Sequence, residues 1–160
     1  MKIGMALREL HRSENELARA LLEVSERHRV DHDVFYLGRE LASWSQAHVR
    51  ALADAGSRYD VDLDPEPVTG QGLLAAARER WSDAVGRDPR AALRLLVDVR
   101  EVYTLACGVS VDWELVAQAA QGVRDAELLA LSKACHPETL RQMRWANAKL
   151  KESATQILVS

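Results

Sequence analysis

The sequence is poor in aromatic residues, cysteine and proline. Its 160 residues include one Phe, two Cys and four Pro. Few prolines leave room for long helices, because proline removes a backbone donor and breaks a helix interior. Cys107 and Cys135 do not form a CxxC pair. We therefore expect both to be reduced, buried thiols in a cytoplasmic protein.

Long apolar runs and an excess of one charge are also missing. No apolar stretch approaches the roughly 20 residues that a bilayer-crossing helix needs. The residues after Met1 also lack the charged segment and apolar run that begin a secretory signal. We therefore expect no membrane contact and no secretory signal. The net charge is −3 with both signs interspersed, which does not favour nucleic acid as a partner.

Residues 3–55 carry two apolar stripes with spacings of three and four. This spacing is typical of helices packed in a bundle. The stripes are Ile3, Leu7, Leu10, Glu14, Leu17, Leu21, Val24 and His28, then Val34, Leu37, Leu41, Trp44, His48, Ala51 or Leu52, and Ala55. They predict an antiparallel hairpin that turns near residues 29–31, where Asp31 or Asp33 caps the second helix and Gly56 ends it. Gly38, inside the second helix, predicts a close approach between the two helices.

Glu14 and His48 occupy stripe positions where leucine would be expected. The antiparallel return places them at the same level, so the sequence predicts a carboxylate facing an imidazole inside the hairpin. Our main interpretation is a buried polar pair that fixes the register, because an unpaired buried charge is costly. The alternative is a pair of metal ligands.

Residues 57–72 cannot continue a helix, because they contain Asp60, Asp62, Asp64, Pro65 and Pro67. A calcium loop would need a central Gly and a terminal Glu at fixed positions, so we interpret this segment as a solvated acidic linker. A short helix is expected over residues 73–85.

The remaining chain predicts two further long helices. The third has the stripe Ala92, Leu95, Val99, Val102, Ala106, Val109, Trp113, Val116, Ala120 and Val123, and Gly122 is expected to end it. The fourth, capped by Asp125, has Leu128, Leu131, Cys135, Leu140, Met143, Asn147, Leu150, Ala154 and Ile157. Its register slips at Pro137, so either the helix kinks there or a new helix begins with His136 as its cap.

The fold prediction is an all-α, single-domain protein covering residues 1–160. Two helical hairpins are joined by a long crossover at about 57–89, which is the topology of ferritin-like four-helix bundles.

The segment Leu10-x3-Glu14-x2-Leu17-x2-Ala20-Leu21 resembles the first helix of the ferritin-like stress-protein family (the DUF892 group). The resemblance implies that Glu14 is a ligand of a di-metal centre. The family's next ligand segment aligns with residues 40–43, where Glu40 is kept, the His is absent and Ser43 stands for the second carboxylate. Glu101-x-Tyr103 is similar to the family's third-helix segment without its His, and Glu138 lies near its last acidic cluster.

Helical spacing gives an independent test of these positions. It places Glu14 in the packed stripe, Glu40 on its flank and Glu101 toward solvent. Di-iron bundles use paired Glu-x-x-His motifs, and the sequence contains none. The candidate metal ligands are therefore Glu14, Glu40, His48 and Glu138.

Further polar and aromatic residues carry predictions of their own. We expect Asn147 to act as a specificity device or to hydrogen-bond the Glu14–His48 pair. His28 and His32 are expected to be solvated near the first turn, with a weak surface metal site as the alternative. The third and fourth helices are longer than the first two and should overhang them. An uncovered Trp113 and the off-stripe Trp145 are therefore interface candidates, which favours a homo-oligomer.

Two functions remain open at this stage. The first is a non-enzymatic, oligomerising ferritin-like protein, stress-associated by resemblance, with a degenerate metal site and no cofactor. The second is a di-metal carboxylate protein or oxidase that uses iron or manganese. A catalytic Cys135 would need a base and an orienting group, and spacing assigns neither. Helix-start chemistry explains His136-Pro137-Glu138, so no catalytic residue is assigned.

Overall fold

A computed structural model describes residues 2–70 and 89–159 of the chain. These residues form four long helices: α1 (Lys2–Arg27), α2 (His32–Gly56), α3 (Pro89–Val123) and α4 (Ala126–Leu158). A 3-10 turn, Ser57–Tyr59, follows α2, and no strand occurs within the described ranges. The all-α prediction is confirmed for these residues. The short helix expected over residues 73–85 lies outside them.

Neighbouring helices run antiparallel. The contact of Ser13 with Asp112 and that of His28 with Asp98 show that α1 and α3 run in opposite directions. The same holds for α2 and α4, because His48 contacts Glu138 near the middle of α2 while Lys149 reaches Asp31 at its start. Two antiparallel hairpins, α1–α2 and α3–α4, therefore pack side by side.

The core lies between the four helices and is built mainly from leucine and valine. Burying one such side chain contributes roughly 1.5–3 kcal/mol, and Leu7, Leu10, Leu17, Leu21, Leu52, Val102, Val109 and Leu128 are fully buried. The α1 prediction is confirmed through Val24. Of the two stripe candidates Ala51 and Leu52 in α2, Leu52 is the buried one. Leu37, which also belongs to the predicted stripe, is 38% exposed.

Aspartates cap the second and fourth helices as predicted. The Asp31 carboxylate accepts a hydrogen bond from the backbone N–H of Val34, and Asp125 accepts one from that of Leu128. α3 continues through Gly122 and ends at Val123. Arg124 then takes the left-handed conformation with φ 59°, so the prediction that Gly122 ends the helix is wrong.

Gly38 marks a close approach between α1 and α2, as predicted. A Cβ at this position would lie 3.1 Å from Cβ of Ser25 and 3.2 Å from the carbonyl oxygen of Leu21. The absence of a side chain lets the two helix backbones come together in the half of the hairpin nearer its turn.

The segment after α2 returns along α1 with alternating burial. Val61 and Leu63 are buried against the hairpin, whereas Asp62 and Asp64 are exposed. Farther along, the backbone N–H of Val68 donates to the side chain of Asn15. The linker carboxylates are solvated as predicted, but its apolar residues fix it to the bundle.

α4 is one helix through Pro137, so of the two alternatives the start of a new helix at His136 is wrong. Pro137 lies on the exposed side, where the carbonyl group that it leaves without a donor can bind water. The buried face also keeps its register, because its residues are Leu128, Ser132, Cys135, Thr139, Gln142, Ala146, Lys149 and Ser153. The predicted slip onto Leu140 and Met143 is therefore wrong.

Candidate functional site

A three-residue bridge joins α1, α2 and α4 in the middle of the bundle. The imidazole of His48 contacts Glu14 through Nδ1, 2.8 Å from Oε1, and Glu138 through Nε2, 2.7 Å from Oε2. Glu14 is fully buried, whereas the Glu138 side chain is 37% exposed. The predicted Glu14–His48 contact is confirmed. We call Glu14, His48 and Glu138 the central bridge.

Trp113 closes the central bridge from α3. Its indole N–H donates to Oε1 of Glu14 at 2.8 Å, and its ring lies edge-on to the His48 ring with centroids 5.7 Å apart. Trp113 is 0% exposed, so the prediction of an uncovered interface residue is wrong. The part of α3 that extends beyond α1 is its N-terminal end, before Asp98. This follows because Asp98 contacts His28, which comes directly after the last residue of α1.

His48 is held in its protonated form. Burial lowers the pKa of His48, but its interactions with Cys135 and Glu14 raise it to about 11. At neutral pH both ring nitrogens therefore carry hydrogen and donate to carboxylates. Both ring nitrogens are thus engaged, one by Glu14 and the other by Glu138.

The contact between α2 and α4 is polar beyond the central bridge. The side-chain amide of Gln142 donates to the carbonyl oxygen of Leu41 and to Oγ of Ser45, both at 2.9 Å. Nearer the start of α2, Nζ of Lys149 lies 2.7 Å from the Asp31 carboxylate. Hydrogen bonds and ion pairs thus hold this side of the bundle, where an apolar contact would be usual.

Three buried polar atoms near this contact have no hydrogen-bond partner within the described part of the chain. They are Oε2 of Glu14, Oγ1 of Thr139 and Oε1 of Gln142. A buried acceptor without a partner costs roughly 1–3 kcal/mol, so each is a position that a water molecule or a cation would satisfy.

The other predicted metal ligand does not reach the bridge. Glu40 is exposed on α2, where its backbone carbonyl accepts a hydrogen bond from Ser43. Glu101 is exposed on α3, as helical spacing indicates. Glu138, taken from the family resemblance, is brought to His48. Carrying the Leu128–Ser132–Cys135 spacing on through Pro137 would have placed Glu138 beside the buried face at Thr139.

Asn147 does not occupy the position that the sequence predicts. It is half-buried and lines an open groove of about 350 Å³ between α3 and α4, together with Tyr103, Leu140, Met143 and Arg144. Gln142 and Lys149 make the polar contacts to α2 instead. Trp145 is half-buried and packs against the core.

A second polar cluster lies near the α1–α2 turn. Nε2 of His28 is 2.8 Å from the carboxylate of Asp98, which also pairs with Arg27 at 2.7 Å. Burial raises the pKa of Asp98, but the bonds to His28 and Arg27 lower it below its usual value. His28 is therefore a tertiary contact, and the prediction that it is solvated is wrong. His32 is exposed as predicted.

The predicted helix cap His136 lies inside α4, and its Nε2 is 2.8 Å from Oγ of Ser110 on α3. Cys107 is half-buried, Cys135 is buried, and both are free thiols. Burial of Cys135 confirms the prediction for that residue, whereas the prediction that Cys107 is buried is wrong.

Within residues 2–70 and 89–159, no group of three or more His, Cys, Asp or Glu side chains could hold a metal ion. In the central bridge the two carboxylates contact opposite nitrogens of one ring, so they do not converge on a common point. No helix in the same ranges is long and apolar enough to cross a membrane.

Comparisons of the chain with protein-family models, curated proteins and solved structures gave no significant match.

Proposed function

We propose that the chain is a non-enzymatic, self-associating helical-bundle protein of ferritin-like architecture whose metal site is degenerate. The observation that carries the proposal is the central bridge. A di-metal bundle places inward-facing carboxylates and histidines around two ions. Here the imidazole of His48 stands between the carboxylates of Glu14 and Glu138.

The order and direction of the helices support the ferritin-like part of this proposal. An antiparallel hairpin, a long connection and a second antiparallel hairpin are the arrangement that ferritin-like bundles use, whereas simple up-down bundles have short loops throughout. The buried Glu14 on the first helix, in the segment that resembles the stress-protein family, is a second point of support.

The donor set argues against a di-metal centre in this chain. Such a centre needs roughly six protein ligands in fixed inward geometry. Glu14 and Glu138 reach the centre, whereas Glu40 and Glu101 are exposed. Both nitrogens of His48 are already in contact with these two carboxylates. The residues present therefore do not fit two metal ions.

A metal-binding carboxylate protein is the second candidate, because one observation favours it. Oε2 of Glu14 is buried without a partner in the described residues, and Glu138 at the edge of the bundle reaches solvent. A single divalent ion that replaced the proton between His48 and Glu138 would lie at the solvent-exposed carboxylate, on the other side of the ring from Glu14. The Glu14–His48 contact would then orient the imidazole, as carboxylates commonly do for metal-bound histidines.

Elemental analysis of protein purified without chelator distinguishes the two candidates. We expect less than about 0.1 iron or manganese atom per chain, because Glu14 and Glu138 contact opposite nitrogens of one imidazole and do not converge on an ion. Two atoms per chain that are lost in Glu14→Gln and kept in Glu40→Gln would overturn the proposal, and one atom with the same dependence would favour the second candidate. Glu40→Gln is the matched control, since it removes an exposed carboxylate.

A further inference from the structure

α3 presents a line of exposed residues on the side opposite the core. Val97, Val111 and Leu115 are 61%, 53% and 60% exposed, although helix surfaces away from the core are normally polar. The residues follow one another at spacings of three and four along one side of the helix: Leu93, Val97, Arg100, Thr104, Gly108, Val111 and Leu115. We call this line the outer face of α3.

Gly108 lies in the outer face, where it packs against no other element among residues 2–70 and 89–159. A Cβ at Gly108 would meet no atom of these residues within 4 Å, whereas one at Gly4, Gly38 or Gly56 would meet a neighbour within about 3.1 Å. Glycine inside a helix is destabilising relative to alanine. Gly108 lies between two exposed valines, Val97 and Val111. Because it has no side chain, a second helix backbone could approach closely at this point.

The charges of α3 are divided along its length. All of its basic residues precede Gly108, and its acidic residues after that point are Asp112 and Glu114. Before Gly108, Asp98 is buried by Arg27 and His28, which leaves Glu101 as the exposed acid of that half. A parallel second copy would place like charges together, whereas an antiparallel copy brings each basic half to the other copy's acidic half.

We propose that the outer face of α3 is the surface on which a second copy of this chain docks, antiparallel, with the two helices crossing at Gly108. About this point Arg100 of one copy lies within one helical turn of Glu114 of the other. The same contact then occurs twice, as two-fold symmetry requires. The inference rests on the self-association part of the proposed function and does not depend on the central bridge.

The size of the outer face sets the expected strength of the dimer. From Leu93 to Leu115 it runs about 33 Å at 1.5 Å per residue. One helix packed on one helix over this length lies at the low end of interface sizes, so we expect Kd on the order of 10 µM.

Sedimentation equilibrium on the full chain, over about 1 to 500 µM, tests the interface. The wild-type mass should rise from monomer to dimer with concentration. Gly108→Leu should raise Kd at least about tenfold, because the new side chain occupies the crossing point. Gly122→Leu is the matched control, since Gly122 also lies in open space within α3 but far from the crossing, and it should leave Kd within about twofold of wild type.

A charge exchange tests the antiparallel direction. Arg100→Glu should weaken the dimer, and adding Glu114→Arg to the same chain should restore it, because both contacts are then reversed together. A monomer at every concentration, or a dimer that Gly108→Leu leaves unchanged, would overturn the proposed surface. A double variant no tighter than Arg100→Glu would overturn the antiparallel arrangement. Metal content remains a separate readout, so these failures leave the proposal for the central bridge standing.

Discussion

The indole N–H of Trp113 and the imidazole Nδ1–H of His48 donate to the same carboxylate oxygen of Glu14. The three side chains come from α3, α2 and α1, and all are buried. One oxygen thus joins three helices. Because this oxygen is buried, no water can take the place of a lost partner. Removing either hydrogen bond should therefore lower the free energy of unfolding measurably.

The pairing of Glu14 with His48 can be measured by a double-mutant cycle. Glu14→Leu alone should lower the free energy of unfolding by about 3–5 kcal/mol, because it removes the buried carboxylate that accepts from both His48 and Trp113 and leaves two buried donors unpaired. The further cost of His48→Leu in that background should be several kcal/mol smaller than in wild type. Unfolding in urea gives all four values, and additive effects would contradict the pairing.

The contribution of the indole N–H can be measured with Trp113→Phe. Phenylalanine keeps most of the ring but removes the donor to Glu14, so we expect a loss of about 1–3 kcal/mol. Trp145→Phe is the matched control, because Trp145 is half-buried and its loss should cost less. Equal losses in the two variants would mean that ring volume, and not the hydrogen bond, determines the effect.

The hairpin could be predicted because its sequence pattern and its burial agree. No proline interrupts residues 2–56, and Glu14 and His48 stand out only because leucines surround them in the stripe. Gly38 gave a second correct signal, since a glycine inside a helix has a cost that close packing explains.

The buried face of α4 after Pro137 could not be predicted, because hydrophobicity indicates the wrong side of that part of the helix. Leu140 and Met143 line the groove between α3 and α4, whereas Thr139 and Gln142 face the interior. Polar residues that hold two helices together are spaced along the sequence in the same way as polar residues of a solvated face. The sequence therefore gives no direct sign of the Gln142 hydrogen bonds to α2, and Asn147 was assigned to their place.

Stability should fall at alkaline pH through His48. Its pKa is raised from 6.5 to about 11 in the folded chain. The stability that it contributes is therefore fully present below pH 6.5 and is lost as pH rises toward about 11. Between pH 6.5 and about 11, the free energy of unfolding should fall by on the order of 1 kcal/mol per pH unit.

Urea unfolding of wild type and of His48→Gln at about pH 6, 8 and 10 checks this dependence. The variant should be less stable at pH 6 and should show a flatter decline, because it lacks the titrating group. Parallel curves for the two proteins would assign the alkaline loss to other groups.

Two glycines in the helices should respond to alanine in opposite directions. Gly108→Ala adds a methyl group in open space and improves helix propensity, so the monomer should gain about 1 kcal/mol. Gly38→Ala gains the same propensity but places Cβ 3.1 Å from Cβ of Ser25 and 3.2 Å from the carbonyl oxygen of Leu21. Because both neighbours belong to the tightly packed α1, the helices must separate, and we expect a net loss of about 1–3 kcal/mol. Thermal unfolding at a concentration below the expected dimer Kd compares the two variants directly, and a gain in stability for Gly38→Ala would show that the α1–α2 contact is looser than these distances.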